Sequence, residues 1–240
     1  MSGRLAILGM GPGDPELLTV KAARLLAAAP VVAFFAKRGQ QGHARRIAEG
    51  LLPPGCEELR FEYPFTTERA PDDPVYESAL AACYDRAAAA LAARLVAGRD
   101  VALLCEGDPL FFGSAMYLFD RLAPHYPTVV IPGVTGMSAC WTAAAAPIAH
   151  GDDVLTVLPG TLDEAALAGR LAACDAAVIM KVGRNLPKIR AALGRAGLLA
   201  RAIYVERGAM PGERVAPLAE VWEAAPYFSL VLVPGRQRRR

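Results

Sequence analysis

The sequence predicts an α/β protein of two domains, an N-terminal one with a mostly parallel sheet and a C-terminal one with a mixed sheet. Short apolar runs alternate with alanine-rich amphipathic stretches, which favours a parallel sheet covered by helices on both faces. A second alternating set begins after Pro147. The last two apolar runs are joined by too short a segment for a crossover helix, which favours antiparallel pairing there. We therefore predict domains 1–147 and 148–240.

In the N-terminal domain, the apolar runs predict strands at Leu5–Leu8, Val31–Phe35, Glu58–Phe61, Val101–Cys105 and Val129–Ile131. The stretches between them predict helices at Pro15–Ala29, Ala44–Leu51, Pro74–Ala97 and Ala115–Leu122. Asp14 as N-cap and Pro15 at the first helical position mark the start of the first helix. The small residues from Gly133 to Ala146 predict a further helix, which Pro147 ends.

In the C-terminal domain, strands are predicted at Val154–Leu158, Ala176–Val182, Ala202–Glu206, Val215–Leu218 and Phe228–Val233. Helices are predicted at Glu164–Ala173 and Pro187–Gly194. No internal repeat or low-complexity linker separates the two domains.

The net charge of +2 is unevenly placed along the 240 residues. Of the 26 lysines and arginines, four are Arg236, Arg238, Arg239 and Arg240, so the other 22 are outnumbered by 24 acidic residues. The folded part is therefore not a basic nucleic-acid binder, and we expect no nucleic-acid partner. We expect the four arginines to form a solvated terminus.

Cysteine and histidine spacing indicates neither a disulfide framework nor a metal site. The five cysteines are far apart and form no C-x-x-C pair, and the three histidines lack metal-ligand spacing. No apolar run approaches the roughly 20 residues of a membrane span, and the first apolar run is too short for a signal peptide. We expect a reduced, cytoplasmic protein without a membrane partner.

Three glycine-containing segments each follow a predicted strand and lead into a predicted helix: Gly9–Asp14, Gly107–Ser114 and Pro132–Ser138. The carboxyl ends of neighbouring parallel strands meet at one sheet edge, where open α/β sheets bind ligands. The first segment lacks the G-x-G-x-x-G spacing, and Asp14 would repel a pyrophosphate from the helix N-terminus. A dinucleotide-dependent oxidoreductase is therefore disfavoured.

These segments resemble the tetrapyrrole methylase family. The matching patterns are G-x-G-P-G-D-x-x-L-L-T-x-x-A (Gly9 to Ala22), G-D-P-x-x-x-G-S (Gly107 to Ser114) and P-G-V-T-x-x-x-A (Pro132 to Ala139). Further stretches resemble the members that act in cobalamin biosynthesis: Phe61–Thr66, Gly98–Val101, Glu106–Pro109, Val157–Thr161, Met180–Arg184, Tyr204–Arg207 and Pro226–Leu230. The resemblance implies two α/β domains with S-adenosyl-L-methionine bound in a cleft between them, and a homodimer.

The resemblance also implies which residues contact the cofactor: Pro12, Glu106, Gly107, Asp108, Phe111, Thr135, Gly136, Met180, Gly208 and Ala209. Gly136 stands where many members have a small hydroxylated residue, so a backbone contact is implied there. The implied substrate is a tetrapyrrole with many carboxylates, which requires cations. We expect Lys37, Arg38 and Arg184 to bind it, and further candidates are Arg45, Arg46 and Arg69.

The implied reaction is methyl transfer to a ring carbon, with S-adenosyl-L-homocysteine as the product. Positioning in a dry cleft supplies most of the catalysis, and the sequence identifies no catalytic residue. The resemblance implies C20 of the ring as the methylated carbon, and the alternatives within the family are another carbon such as C11, or uroporphyrinogen III as the substrate. Whether the tetrapyrrole already carries cobalt stays open. Because a branch of the superfamily modifies ribosomal RNA, an RNA methylase that uses the arginine tail is the alternative.

Overall fold

The computed structural model describes residues 1–64 and 74–235. The chain divides into two compact units, Met1–Thr135 and Gly136–Arg240. The boundary between the units therefore lies earlier in the chain than the one that we predicted near residue 147. The difference arises because the helix from Gly136 to Ala143 packs on the C-terminal sheet, where Cys140 is buried against Val178 and Val205.

The N-terminal unit is built on a parallel sheet, as predicted. Its strands pair in the order β3-β2-β4-β1-β5, and every pairing is parallel. The strands are β1 (Leu5–Gly9), β2 (Val31–Ala36), β3 (Glu57–Glu62), β4 (Val101–Cys105) and β5 (Thr128–Ile131). The strands β1 and β4 are buried along their whole length, which explains why they are continuous apolar runs.

Helices cover both faces of this sheet. They are α1 (Val20–Ala27), α2 (His43–Ile47), α3 (Pro74–Val96) and α4 (Ala115–Leu122). Apolar residues of α1 and α2, such as Leu26 and Ile47, pack on one face. Residues of α3 and α4, such as Leu91 and Leu118, pack on the other.

The first predicted helix is divided into two pieces. The Asp14 carboxylate accepts the N–H of Glu16 at 2.8 Å and starts a 3-10 turn over Pro15–Leu17, as the N-cap signal predicted. The chain then turns extended, and the Thr19 hydroxyl caps α1 by accepting the N–H of Ala22. A single helix over Pro15–Ala29 was therefore wrong, because Thr19 supplies a second N-cap.

The C-terminal unit has a mixed sheet with the order β6-β7-β10-β8-β9. Its strands are β6 (Leu155–Pro159), β7 (Ala176–Met180), β8 (Ile203–Glu206), β9 (Arg214–Pro217) and β10 (Ser229–Val233). The predicted antiparallel pairing occurs, but β9 and β10 do not pair with each other. Both pair antiparallel with β8 and lie on either side of it.

Three helices of the C-terminal unit flank this sheet: α5 (Gly136–Ala143), α6 (Glu164–Ala172) and α7 (Leu186–Arg195). The last two pack on one face, through residues such as Leu167 and Ile189, and α5 packs on the other. Strand β7 ends at Met180, two residues before the predicted end at Val182, because Lys181 has a left-handed φ of 56°.

Some predicted features lie outside the described residues: Arg69, the end of the Phe61–Thr66 stretch, and the four tail arginines. Within the described ranges, all five cysteines are unpaired, and Cys83, Cys105 and Cys140 are buried. No helix within these ranges has the length and apolar character needed to cross a membrane.

Candidate functional site

The three glycine loops of the N-terminal unit lie at one edge of its sheet, as predicted. They follow β1, β4 and β5, which are neighbours in the strand order. The Met10 N–H donates to the Cys105 carbonyl at 2.8 Å. Gly11 and Gly107 form an isolated antiparallel bridge, in which the N–H of each residue donates to the carbonyl of the other. The first two loops are therefore fixed to each other through their backbones.

Close backbone packing requires glycine in all three loops. A Cβ added at Gly133 would lie 2.1 Å from the Gly107 carbonyl oxygen and 2.9 Å from the Gly9 carbonyl carbon. A Cβ added at Gly9 would lie 2.4 Å from the Gly133 nitrogen. We call Gly9, Gly107 and Gly133 the glycine triad. These contacts require glycine at Gly9 and Gly133, and Gly107 has a left-handed φ of 64°, which favours glycine.

The Asp108 carboxylate joins the second loop to the third. One oxygen, Oδ1, accepts the N–H of Leu110 at 2.9 Å, and Oδ2 accepts the N–H of Gly133 at 3.1 Å. Asp108 therefore shapes the loops that surround the edge, which is a positioning role that the sequence did not reveal.

The Glu106 side chain lies half-buried at the end of β4 and accepts no hydrogen bond from the part of the chain that the structure describes. Burial raises its pKa to about 8, and the nearby Arg46 guanidinium acts in the opposite direction. A carboxylate without donors in a desolvated position is costly, so Glu106 is a candidate for chemistry or for a ligand with positive charge.

The other predicted cofactor residues of this unit occupy the same loops. Pro12 is buried in the first loop, and Phe111 and Thr135 are partly exposed in the second and third. Phe112 has a left-handed φ of 55°, and its ring meets the Phe111 ring edge-on with centroids 4.9 Å apart. A non-glycine residue in this backbone region is strained, and such strain concentrates at functional sites.

An aromatic cluster that sequence reasoning missed supports the second loop. The Tyr63 hydroxyl and the Ser114 Oγ are 2.7 Å apart, and Ser114 directly precedes α4. Tyr63 stacks on Phe35 at 4.9 Å between centroids, and Tyr84 stacks on Tyr117 at 4.6 Å. Burial raises the pKa of the Tyr84 hydroxyl to about 12, so this hydroxyl stays neutral at physiological pH.

The candidate cations of the N-terminal unit have different roles. Lys37 and Arg38 follow β2 at the same sheet edge and are exposed. Arg45 is not available to a substrate, because it forms a bidentate pair with Glu58, with Nε–Oε2 at 2.6 Å and Nη2–Oε1 at 3.0 Å. Its neighbour Arg46 is exposed and acts electrostatically on Glu106. Arg46 is therefore the cation that the structure links most directly to the glycine loops.

In the C-terminal unit, Met180, Gly208 and Ala209 lie at the carboxyl ends of β7 and β8, which run parallel with β10 between them. The Met180 carbonyl accepts the N–H of Gly160 at 2.7 Å. A Cβ at Gly208 would lie 3.0 Å from the Cys140 nitrogen, so Gly208 allows the turn to pack on α5. At Gly136, the first residue of α5, a Cβ would meet nothing within 4 Å.

The turn after β8 is strained. Arg207 and Ala209 both have left-handed backbones, with φ of 51° and 59°, and the Ala209 N–H donates to Glu213 Oε2 at 2.8 Å. The predicted cofactor residues of this unit therefore lie next to backbone positions of the kind that functional sites contain.

Arg184 is exposed and lines a concavity of about 430 Å³ in the C-terminal unit. Trp222 also lines it and is 78% exposed. The Arg190 guanidinium stacks on the Trp222 ring at 3.9 Å and donates to the Val221 carbonyl at 2.9 Å. Sequence reasoning missed this arginine–tryptophan stack because nothing in the local pattern distinguishes it.

The chemistry available in the N-terminal loops is binding and proton transfer. The loops combine closely packed backbone, an unpaired half-buried carboxylate and a neighbouring cation. Among the residues with described placement, no cluster of three or more His, Cys, Asp or Glu side chains has metal-binding geometry. Burial raises the pKa of the Cys105 thiol to about 12, so Cys105 is no nucleophile at neutral pH.

Comparison with known proteins gives consistent matches over nearly the whole chain. Residues 4–221 match the family model of the Tetrapyrrole (Corrin/Porphyrin) Methylases. The chain is 57% identical to the Precorrin-2 C(20)-methyltransferase of a Sinorhizobium species, covering 99% of this chain and 97% of that protein. It is 32% identical to the Cobalt-precorrin-2 C(20)-methyltransferase of Salmonella typhimurium, covering 97% of each.

A solved structure also matches. It is uroporphyrin-III C-methyl transferase from Thermus thermophilus, complexed with S-adenyl homocysteine. The TM-score is 0.66 at 29% identity, and the match covers 96% of this chain and 97% of that one.

Proposed function

We propose that this chain, which belongs to the tetrapyrrole (corrin/porphyrin) methylase family, is a precorrin-2 C20-methyltransferase of cobalamin biosynthesis. It transfers the methyl group of S-adenosyl-L-methionine to C20 of precorrin-2 and so forms precorrin-3A. The observation that carries this proposal is the 57% identity, over nearly the full length of both chains, to a protein of that name.

The residues of the N-terminal loops fit the cofactor. The glycine triad brings three backbones together without side chains, so a ligand can approach their main-chain groups closely. Glu106 would contact the cofactor through its main chain, next to Gly107, and not through its carboxylate. When bound, the cofactor supplies an electrophilic methyl group. Pro12, Gly107, Phe111 and Thr135 would contact it from the same loops.

In the C-terminal unit, Gly136, Met180, Gly208 and Ala209 would contribute the remaining contacts. The support for Met180, Gly208 and Ala209 is their place at strand ends and next to strained backbone. The support for Gly136 is its place at the start of α5. The Asp108 carboxylate would act indirectly, by holding the second and third loops in place.

The tetrapyrrole carries several carboxylates, which exposed arginines and lysines bind well. Lys37, Arg38 and Arg46 lie at or near the carboxyl edge of the N-terminal sheet and would bind these groups. In the C-terminal unit, Arg184 would bind another carboxylate of the tetrapyrrole. The paired Arg45 would not.

Incubation of the purified protein with S-adenosyl-L-methionine and precorrin-2, followed by mass spectrometry and NMR, tests the proposal. We expect a product that has gained one methyl group at C20. Parallel reactions with cobalt-precorrin-2, precorrin-4 and uroporphyrinogen III identify the preferred substrate. If only precorrin-4 or only uroporphyrinogen III is methylated, the C20 specificity is contradicted, and the protein is a methyltransferase with a different substrate.

Cobalt-precorrin-2 is the second candidate substrate, because the Salmonella relative carries that name. The higher identity to the relative named for the metal-free compound favours precorrin-2. Competition between the two compounds at equal concentration distinguishes them. A preference for the cobalt form by more than tenfold would reverse this assignment.

We further propose that the protein acts in the cytoplasm as a homodimer and without a nucleic-acid partner. The support is the family resemblance and the slight excess of acidic residues outside the arginine tail. Light scattering measures the oligomeric state. Salt-dependent RNA binding that is lost when the last five residues are deleted would instead support the RNA-methylase alternative.

A further inference from the structure

Glu106 differs from the other acidic residues at the edge formed by the glycine loops, because the described structure gives its carboxylate no structural task. The Asp14 carboxylate caps the turn that begins at Pro15, and both oxygens of Asp108 accept backbone N–H groups. Glu106 accepts none from the described residues. A half-buried carboxylate that stabilises nothing in the fold costs free energy, so its presence points to a function.

We infer, on the basis of the proposed function, that the Glu106 carboxylate accepts the proton that the tetrapyrrole loses during methylation. The ring carbon forms a bond to the methyl group, while the sulfur–methyl bond breaks and its electron pair stays on sulfur. The methylated ring then carries an extra positive charge. A ring C–H or N–H bond breaks, its electron pair returns to the ring, and the proton passes to an Oε of Glu106.

The backbone on both sides of Glu106 is fixed, which suits a group that must meet a proton at a defined place. The Cys105 carbonyl accepts the Met10 N–H, and the N–H and carbonyl of Gly107 both pair with Gly11. Glu106 is therefore held at a rigid strand end, next to the edge where open α/β sheets bind ligands.

The electrostatic surroundings suit a proton acceptor near neutral pH. Burial raises the proton affinity of Glu106 well above that of an exposed glutamate, and Arg46 on α2 limits the rise. On the same loop, Cys105 stays a neutral thiol, and the Asp108 oxygens are engaged by backbone N–H groups. A base is most effective when its pKa lies close to the operating pH.

The first test needs no substrate. Difference infrared spectroscopy of the cofactor-free protein, titrated with base, follows the carboxyl C=O band. We expect a band that disappears with a midpoint near pH 8 in the wild type and is absent from Glu106→Gln. The bands to compare are those present in the wild type and missing from Glu106→Gln. If all of them titrate near the ordinary pKa of glutamate, the inference fails.

The second test compares single-turnover methylation in the wild type, Glu106→Gln and Glu106→Asp. For Glu106→Gln we expect a loss of about a hundredfold or more in rate, with calorimetric affinity for S-adenosyl-L-homocysteine within about twofold of wild type. The rise of the wild-type rate with pH should disappear in Glu106→Gln. Glu106→Asp keeps a carboxylate, so it should retain an intermediate rate and a pH-dependent rise. Glu16→Gln, an exposed glutamate after the first loop, is the matched control.

Different failures have different meanings. A wild-type protein that methylates no tetrapyrrole contradicts the proposed function. A wild type that methylates precorrin-2, with Glu106→Gln equal to it in rate and pH profile, contradicts only this inference. Loss of cofactor affinity by tenfold in both Glu106 variants would also overturn it, because Glu106 would then be a binding residue. If Glu106→Gln does not fold, a Glu106→Asp variant with wild-type rate and pH profile contradicts the inference in its place.

Discussion

The Asp108 Oδ2 accepts the backbone N–H of Gly133 at 3.1 Å, across 25 residues of sequence. This contact holds the third glycine loop against the second. A hydrogen bond to a charged group is worth about 1.5–3 kcal/mol, so Asp108→Ala should loosen both loops. We expect cofactor affinity to fall by about tenfold or more, measured by calorimetry with S-adenosyl-L-homocysteine.

The matched control is Asp120→Ala, because Asp120 is exposed on α4. It should leave the affinity unchanged. Asp108→Asn retains one oxygen acceptor and should show an intermediate loss. Unchanged affinity in a folded Asp108→Ala protein would refute the positioning role of this carboxylate.

The glycine triad predicts a large difference between two glycine-to-alanine substitutions. In Gly133→Ala, the new Cβ meets backbone atoms of Gly107 and Gly9, which cannot rotate away. We expect a loss of about 3 kcal/mol in the free energy of unfolding and weaker cofactor binding. Denaturant unfolding and calorimetry measure the two effects.

Gly169→Ala is the control for this substitution. Gly169 is exposed inside α6, and a Cβ there meets nothing within 4 Å. Alanine is the better helix former, so this variant should gain about 0.5–1 kcal/mol. Equal stability of the two variants would contradict the close backbone packing of the three loops.

The sheet of the N-terminal unit was largely predictable from sequence. Buried parallel strands are continuous apolar runs, and each of β1 to β5 begins and ends within one residue of its predicted bounds. The domain boundary was less predictable. The composition of α5 does not indicate which unit the helix packs against. Only the burial of Cys140 against the C-terminal sheet assigns α5 to the C-terminal unit.

The roles of charged residues depended on partners distant in sequence. Asp108 was predicted to contact a cofactor, but its donors Leu110 and Gly133 become visible only in the folded loops. Arg45 and Arg46 are neighbours in the sequence, and nothing in the sequence distinguishes their roles. The folded α2 directs Arg45 to Glu58 and leaves Arg46 exposed near Glu106. Periodicity could not separate these two arginines, because Glu58 lies on β3 and Glu106 follows β4, both distant from α2 in sequence.

This difference predicts opposite effects for Arg45→Gln and Arg46→Gln. Arg45→Gln breaks a partly exposed bidentate pair with Glu58. It should lower the free energy of unfolding by about 0.5–1 kcal/mol and leave the pH profile of methylation unchanged.

Arg46→Gln should change the pH profile and leave stability nearly unchanged. The Arg46 cation favours the charged form of Glu106, so its removal raises the pKa of that carboxyl. If Glu106 is the proton acceptor, the rise of rate with pH should move to higher pH. A pH profile unchanged in Arg46→Gln but shifted in Arg45→Gln would contradict the electrostatic assignment.

The raised pKa of Glu106 predicts a cost in stability that appears only above acidic pH. The unfolded chain releases this proton near the ordinary value of 4.5, whereas the folded protein holds it until about pH 8. Between these values the folded state binds more protons, so the wild type loses stability as pH rises. Glu106→Gln removes this dependence and should therefore be more stable than wild type at about pH 8, with a difference that fades toward about pH 4. Thermal unfolding of both proteins across this range measures the effect, with Glu16→Gln as the exposed control. A difference in Tm that is the same at both ends of the range would show that Glu106 does not hold its proton in the folded state.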